Sequence, residues 1–502
     1  MHKTSAVKAI LLTTSLALPT AATSATNYYW ESNPHIGADN DIRIYKGNSP
    51  AEVCDQIAAA GWQYDYYYSG LKRVTDKNFR CTSFRKIDKY TAWTEIYRYG
   101  DTCPPETAFQ SANPYNKTCR PPEEKGPPEH CSPTTSYAGN PVNFSTGNKY
   151  QEELDYQAPG NPELNLSHTY NSSDSLWRHS FSTQLQISQD GQSVALIMGN
   201  GKERYFTVNG TNITPTSYGS GVLKKTETGW TYTSIENTTY TFSNSGDLTS
   251  WLNANGNLQQ LTYNGNLLTI SDSLSNTVTL TVDPDKQPLS FSAPGITIAF
   301  TYSDRRLTKL TRTSPSGTTQ RIYHYEDTNN SSLLTGITDE NGERYAIWRY
   351  DTLGRAISSE HAYGAEKVTI TYNGDGSTTV TNEYGKRANY QFQAIQGTKR
   401  ITSIEGELTT NCPSSNSSFT YDEHGLIKTR IDNKGNLTTY DYNDRNLETS
   451  RTEASGTPEA RTITTEWHPT LYLKTKVTEP NRITIYQYDA QGRPLGQIIT
   501  PR

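Results

Sequence analysis

"YDTLGR" at 350–355 returns as "YDEHGL" at 421–426 and as "YDAQGR" at 488–493. Looser copies surround these three: "FSNSGDL" at 242–248, "LNANGNL" at 252–258, "YNGNLL" at 263–268, "YSDRRL" at 302–307, "ITDENGERY" at 337–345, "YNGDGS" at 372–377, "IDNKGNL" at 431–437 and "YNDRNL" at 442–447. Starts fall ten or eleven residues apart where the copies are dense, which is the length of one strand with its turn. The typical unit has an aromatic or aliphatic residue, then Asp or Asn, then two variable residues and usually Gly, followed by alternating Thr, Ile, Val and Tyr. The spacing predicts strand, tight turn, strand. Tyr350, Tyr421 and Tyr488 end incoming strands, and Asp351, Asp422 and Asp489 cap turn amides on the opposite face. Gly354, Gly425 and Gly492 supply the positive φ. One such hairpin is marginal alone, so the copies are expected to stack into one long, curled antiparallel sheet.

Composition agrees with a mainly β fold. Among 502 residues there are 35 Tyr against 11 Phe and 2 Met, and only 33% of residues are apolar, below the near-half usual in globular chains. The net charge of -5 is spread without a basic block, which argues against nucleic acid as a partner.

Residues 1–25 carry Lys3 and Lys8 before a short apolar run and end in small residues, the layout of a secretory signal peptide, with no later transmembrane segment. The expected location is therefore secreted, periplasmic or at the cell surface. All six cysteines, Cys54, Cys81, Cys103, Cys119, Cys131 and Cys412, follow this segment, and an even count in an exported chain points to disulfides. Fifteen pairings are open. Cys54 with Cys81 is favoured, worth roughly 3 to 4 kcal/mol by loop entropy, then Cys103 with Cys119.

Residues 26–133 read as a small disulfide-tied α+β module. Ser49, Pro50, Glu52 and Gly61 frame one short helix, and "WQYDYYYSG", "NFRCTSFRK" and "AWTEIYRYG" read as three strands before a Pro-rich end. Residues 134–215 form a second module, and 216–502 the repeat sheet.

The Tyr-Asp units resemble the YD repeats of the Rhs family. "GNPVNFSTGNKYQEELDY" at 139–156, followed by "LNLSHTYNSS" at 164–173, resembles the DUF6531 module that precedes many Rhs cores. "TTEWHPTLYLKTKVTEPNRITIYQYDAQGR" at 464–493 is similar to a further Rhs stretch. The likeness covers about 139–502. It implies a large β-shell, here a partial one, linked to polymorphic-toxin delivery and competition between cells. The chain reaches Arg502 a few residues after a repeat turn, without the family's core-ending motif or C-terminal effector. It is therefore expected to be either the front part of an interrupted gene or a shell that a partner completes. A toxin, immunity or shell-completing protein is the expected partner.

No spacing for a zinc site, serine hydrolase, nucleotide loop or metalloprotease occurs, and His2, His35, His130, His168, His179, His324, His361, His424 and His468 are scattered. The chain reads as non-enzymatic, with no catalytic, cofactor or metal residues. "NGDG" at 373–376 is the nearest approach to a calcium loop, yet each turn offers one fixed carboxylate where calcium needs several oxygens. Trp177, Trp230, Trp251, Trp348 and Trp467 are either sheet packing or sugar-stacking platforms, so the alternative function is a cell-surface carbohydrate-binding adhesin.

Because Asp exchanges with Asn among the copies, the turn needs an acceptor and not an acid. Asp351→Asn is expected to be nearly silent in a thermal melt, whereas Gly354→Val lowers the melting temperature; the reverse ranking would refute the structural role of the unit.

Overall fold

The computed structural model describes residues 136–502, apart from 189–190, 217–218 and 407–415. Before residue 136 it describes only 29–32, 35–36, 42–47, 53–54, 56–57, 66–75, 78–85, 91–99, 108–109, 119–120 and 125–127. Residues 1–25 thus lie outside the described residues. The chain divides into two compact units, Met1–Pro104 and Pro105–Arg502.

In the first unit a five-stranded antiparallel sheet has the order Lys46–Gly47, Tyr29–Ser32, Thr91–Tyr99, Asn78–Arg85, Tyr66–Thr75. Val53, Cys54, Gln56 and Ile57 are helical, with Val53, Cys54 and Ile57 buried. Cys54 is disulfide-bonded. Its partner, the side chains of Cys81 and Cys119, and the whole of Cys103, Cys131 and Cys412 lie outside the described residues.

The division between the units falls after Pro104. Lys125 Nζ stands 2.8 Å from Glu203 and 3.2 Å from Asp174, with all three side chains sealed from solvent.

In the second unit a two-stranded pair, Ala108–Phe109 with Cys119–Arg120, precedes two small antiparallel sheets. One contains Tyr137–Ala138, Val142–Asn143, Asn148–Tyr156, Leu166–Asn171 and Leu176–His179; the other contains Gln184–Ile187, Ser193–Ile197, Glu203–Asn209 and Asn212–Pro215. A 26-stranded antiparallel sheet follows, from Val222–Lys225 to Pro494–Pro501, in which every strand pairs with its sequence neighbours. This uninterrupted meander is the long sheet expected from the repeats.

The sheet curls until its two ends touch. Tyr472 N–H, in the loop before strand Lys474–Thr478, donates to Asn237 Oδ1 at 2.8 Å, in the turn before strand Thr239–Ser243. The two small sheets sit against the wall formed by this curl. One hydrophobic cluster runs from Val142 and Phe144 through Trp177 and Phe206 to Trp348 and Phe419, so module and sheet share a single core.

Two devices build the wall. Within many of the hairpins an Asp or Asn closes the turn, as detailed below. Between hairpins, the repeat tyrosine reaches back to a carbonyl near the start of the preceding strand: Tyr350 OH donates to Leu334 O at 2.6 Å, Tyr372 to Ala356 O at 2.8 Å, Tyr421 to Ile401 O at 2.6 Å, Tyr442 to Ile427 O at 2.8 Å and Tyr488 to Lys474 O at 2.9 Å. The ring thus fills the sheet face while the hydroxyl fastens one hairpin to the next. Tyr350 is buried, so Tyr350→Phe leaves a carbonyl without its donor and is expected to lower stability by about 1 to 3 kcal/mol in urea denaturation. Tyr488→Phe, where the same bond is exposed, should change it little.

Candidate functional site

The residues singled out by the repeat lie in the turns. Asp351 Oδ1 accepts N–H from Leu353 and Arg355, each at 2.9 Å, while its other oxygen meets Arg355 Nε at 2.8 Å. Asp422 accepts from His424 at 3.0 Å and Leu426 at 2.8 Å, and Asp489 from Gln491 at 3.0 Å and Arg493 at 2.8 Å. Gly354, Gly425 and Gly492 have φ of 75°, 79° and 83°. Asn253, Asn382 and Asn443 make the same pair of bonds to the amides two and four residues ahead. An amide oxygen therefore closes the turn as well as a carboxylate does. These turns are distributed along the sheet and do not converge. Asp375 of "NGDG" accepts from Ser377 N and Oγ, and among the described residues no cluster of three or more His, Cys, Asp or Glu could hold a metal ion.

What does converge is a buried polar seam that the sequence reading did not single out. Strand Asn148–Tyr156 reverses the usual pattern: Lys149, Gln151, Glu153 and Asp155 point inward and are buried, while Leu154 on the outer face is 53% exposed. The signal was present as polar residues at every second position, K-x-Q-x-E-x-D. In a strand they share one face.

Glu153 gathers the seam. Its carboxylate receives Tyr323 OH at 2.7 Å, Arg321 Nη1 at 2.9 Å, Gln151 Nε2 at 3.3 Å and Tyr345 OH at 3.4 Å. His168, on the paired strand, stands with Nδ1 at 2.5 Å from Asp155 and Nε2 at 2.9 Å from Tyr323 OH. Arg312 approaches Asp155 at 3.6 Å, and Glu340 holds Arg321 at 2.9 Å. Lys149 Nζ lies 4.2 Å above the Trp348 ring and donates to Gln151 Oε1 at 2.9 Å and to Tyr150 O.

The electrostatics follow from enclosure. Burial pushes Glu153 toward the neutral form, but His168 and Arg321 outweigh it and hold the carboxyl below its usual range. Burial also opposes charging of His168, and the Asp155 carboxylate overcomes it, so the imidazole keeps its proton to higher pH than usual. On Asp155 burial prevails and raises the carboxyl. The His168–Asp155 pair has the geometry of an acid–base dyad. It is nevertheless sealed, with the imidazole fully buried against Trp177, Phe300 and Tyr323.

The tryptophans considered as sugar platforms are mostly interior. Trp177, Trp230, Trp251 and Trp348 are buried, so their faces are unavailable to a ligand, and Trp467 Nε1 donates to Glu448 O at 2.8 Å.

Fold and seam together define a repeat-built β-scaffold coiled on an internal module. Residues 139–206 match the domain of unknown function DUF6531 and residues 421–458 match the RHS Repeat, the combination of an Rhs/YD-repeat protein with a DUF6531 module. Among solved structures, the chain is similar to TcdB2-TccC3, with 12% identity over 85% of this chain and 23% of that one, at a TM-score of 0.30. The Photorhabdus luminescens Tc holotoxin pore gives 11% identity over 95% of this chain and 24% of that one, at 0.27. A porin-like protein from Bacteroides uniformis gives 9% identity over 69% and 98%, at 0.13. The chain thus spans under a quarter of the first two. No curated protein matches it.

Two measurements test the seam. Glu153→Leu, an apolar gain, takes from Arg321 and protonated His168 one of the two carboxylates that balance each, leaves the buried Tyr323 hydroxyl without its acceptor, and is expected to cost about 3 to 5 kcal/mol in urea denaturation. Leu154→Gln, an apolar loss beside it, should be nearly neutral. The second concerns acid. His179 is fully buried, and burial with the Lys286 ammonium lowers its pKa to about 3. The unfolded chain takes up this proton near pH 6.5 and the folded chain does not, so stability falls with pH by about 1.4 kcal/mol per unit across that window. His179→Asn is expected to remove one proton's worth of slope from the stability profile between pH 6 and 4.

Proposed function

We propose that this chain is a non-enzymatic scaffold, an Rhs-type shell or part of one, exported from the cell and used in toxin delivery between cells. The observation that carries this reading is the continuous meander curled back on itself, Asn237 to Tyr472, against the module matched as DUF6531. A wall of this kind has a protected interior face and needs no chemistry of its own. The sealed state of His168 and Asp155 supports the non-enzymatic part. Among the described residues no helix is long and apolar enough to cross a membrane, and the sequence of residues 1–25 supports export.

A competition assay tests the role. Deleting the gene is expected to abolish inhibition of neighbouring cells, with restoration by the intact gene. The purified chain is expected to retain a toxin, immunity or shell-completing protein encoded beside it. Unchanged competition together with no retained product would overturn delivery.

A further inference from the structure

The loop between strands Arg461–Trp467 and Lys474–Thr478 carries the contact that closes the curl, Tyr472 N–H on Asn237 Oδ1 at 2.8 Å. It occupies the place of a repeat turn but departs from the repeat at its first residue. Trp467 stands where other units have Tyr, and its Nε1 donates to Glu448 O as those hydroxyls donate to the strand before them. His468 stands where they have Asp or Asn. The cap of the closing turn is therefore an imidazole.

His468 Nδ1 accepts the N–H of Leu471 at 3.0 Å and that of Thr470 at 3.3 Å, with the Thr470 hydroxyl at 3.4 Å. A backbone N–H only donates, so Nδ1 is bare and the ring is neutral in this arrangement. Arg445, from the neighbouring turn, clasps the same loop from its carbonyl side. Its Nη1 donates to His468 O at 2.6 Å and Pro469 O at 2.9 Å, and its Nη2 to Thr470 O at 3.2 Å and Leu471 O at 3.0 Å. Its guanidinium also lies 5.1 Å from the centre of the Tyr472 ring.

The acids of the adjoining strands and turns are committed elsewhere: Glu448 to Arg451 at 2.9 Å, Glu466 to Lys476 at 2.9 Å and Asp489 to Arg493 at 2.5 Å. Lys474 lies over the Trp467 ring at 5.7 Å, while Asp444 and Glu236, next in sequence to Arg445 and Asn237, are exposed. His468 is half-buried, so protons reach it from solvent.

We propose that His468 makes this turn an acid-released latch, which holds the curl closed while the ring is neutral and frees it when the ring is protonated. Histidine gains its charge between about pH 8 and 5, a range in which Asn and ionised Asp caps keep their acceptor oxygens. A protonated imidazole has two donors and no acceptor. The Thr470 and Leu471 amides then lose their partner, and the new charge stands beside Arg445, which is bonded to the His468 carbonyl itself. Both effects drive the loop out of shape and carry Tyr472 away from Asn237. Mild acid thereby opens the wall at its line of closure while the Asx-capped turns stay intact. The latch does not depend on the delivery role: a wall that delivers nothing would still open, and one that stays closed in acid could still deliver.

The test is amide hydrogen exchange of the full chain at about pH 7.5 and pH 5.5, with each rate corrected for the pH dependence of unprotected amides. Protection of Leu471 and Tyr472 is expected to fall by about tenfold or more at the lower pH, while the Asp-capped segment 350–355 keeps its own. His468→Asn, which restores the usual cap, is expected to abolish the difference between the two pH values. Asn237→Gly removes the acceptor but suits the φ of 60° at that position, and is expected to expose Tyr472 N–H at both. Equal loop protection at the two pH values in the unaltered chain, a difference that survives in His468→Asn, or an equal loss at 350–355, the mark of general acid unfolding through groups such as His179, would each overturn the latch. So would a Tyr472 amide that stays protected in Asn237→Gly.

Discussion

The carboxylate of Glu153 is the point through which the internal module and the repeat sheet hold each other. A sheet of 26 strands has two faces, and its curl leaves one of them needing cover. The cover here includes a strand with a polar inner face, and each of its groups meets a partner from the sheet or from its own neighbours: Tyr323 and Arg321 on Glu153, Arg312 on Asp155, Trp348 over Lys149. Such a seam adds little net stability over a well-packed apolar interface, because the charges were taken from water to make it. It does penalise mistakes. A slip of one residue would turn Leu154 and Glu152 inward and take the carboxylates of Glu153 and Asp155 away from two arginines and an imidazole.

The wall itself tolerates sequence variation because its two fasteners use different atoms. The turn depends on an Asx side-chain oxygen and a backbone able to take positive φ, so Asn replaces Asp at 253, 382 and 443 with identical bonds. Glycine is also replaceable at a cost: Ser275, Lys286 and Asn446 take the left-handed position in three turns at φ of 65°, 61° and 60°. The tyrosine hydroxyl acts one strand further back and ties neighbouring hairpins. Neither bond asks anything of the residues between, which leaves variable turn positions such as those of Leu353 and Tyr384 free for solvent or for a ligand.

Much of this was legible from residue order. Period-two alternation interrupted every ten or eleven residues foretold the antiparallel meander, and "YDTLGR" foretold its turn chemistry. The seam was not foretold, although K-x-Q-x-E-x-D stood in plain view between Lys149 and Asp155. Polar alternation in a strand normally marks the wet face, and only contact with Arg321 and Tyr323, 168 and 170 residues away from Glu153, makes it the dry one. The tryptophans were open to two readings, because an aromatic residue reads alike whether its ring packs a core or faces water; Trp177, Trp230, Trp251 and Trp348 pack. The exposed rings turned out to be Tyr363 and Tyr384.

By itself the sequence determined the repeat, its strand length and the pairing of each strand with the next, because these follow from local geometry: side-chain alternation, an Asx cap and a residue able to turn. Only the tertiary structure decided which face is interior, that the sheet curls far enough for Asn237 to meet Tyr472, and that a polar strand is buried rather than exposed. Those outcomes depend on partners more than a hundred residues distant, whose charges and rings become neighbours only after the sheet has closed around them.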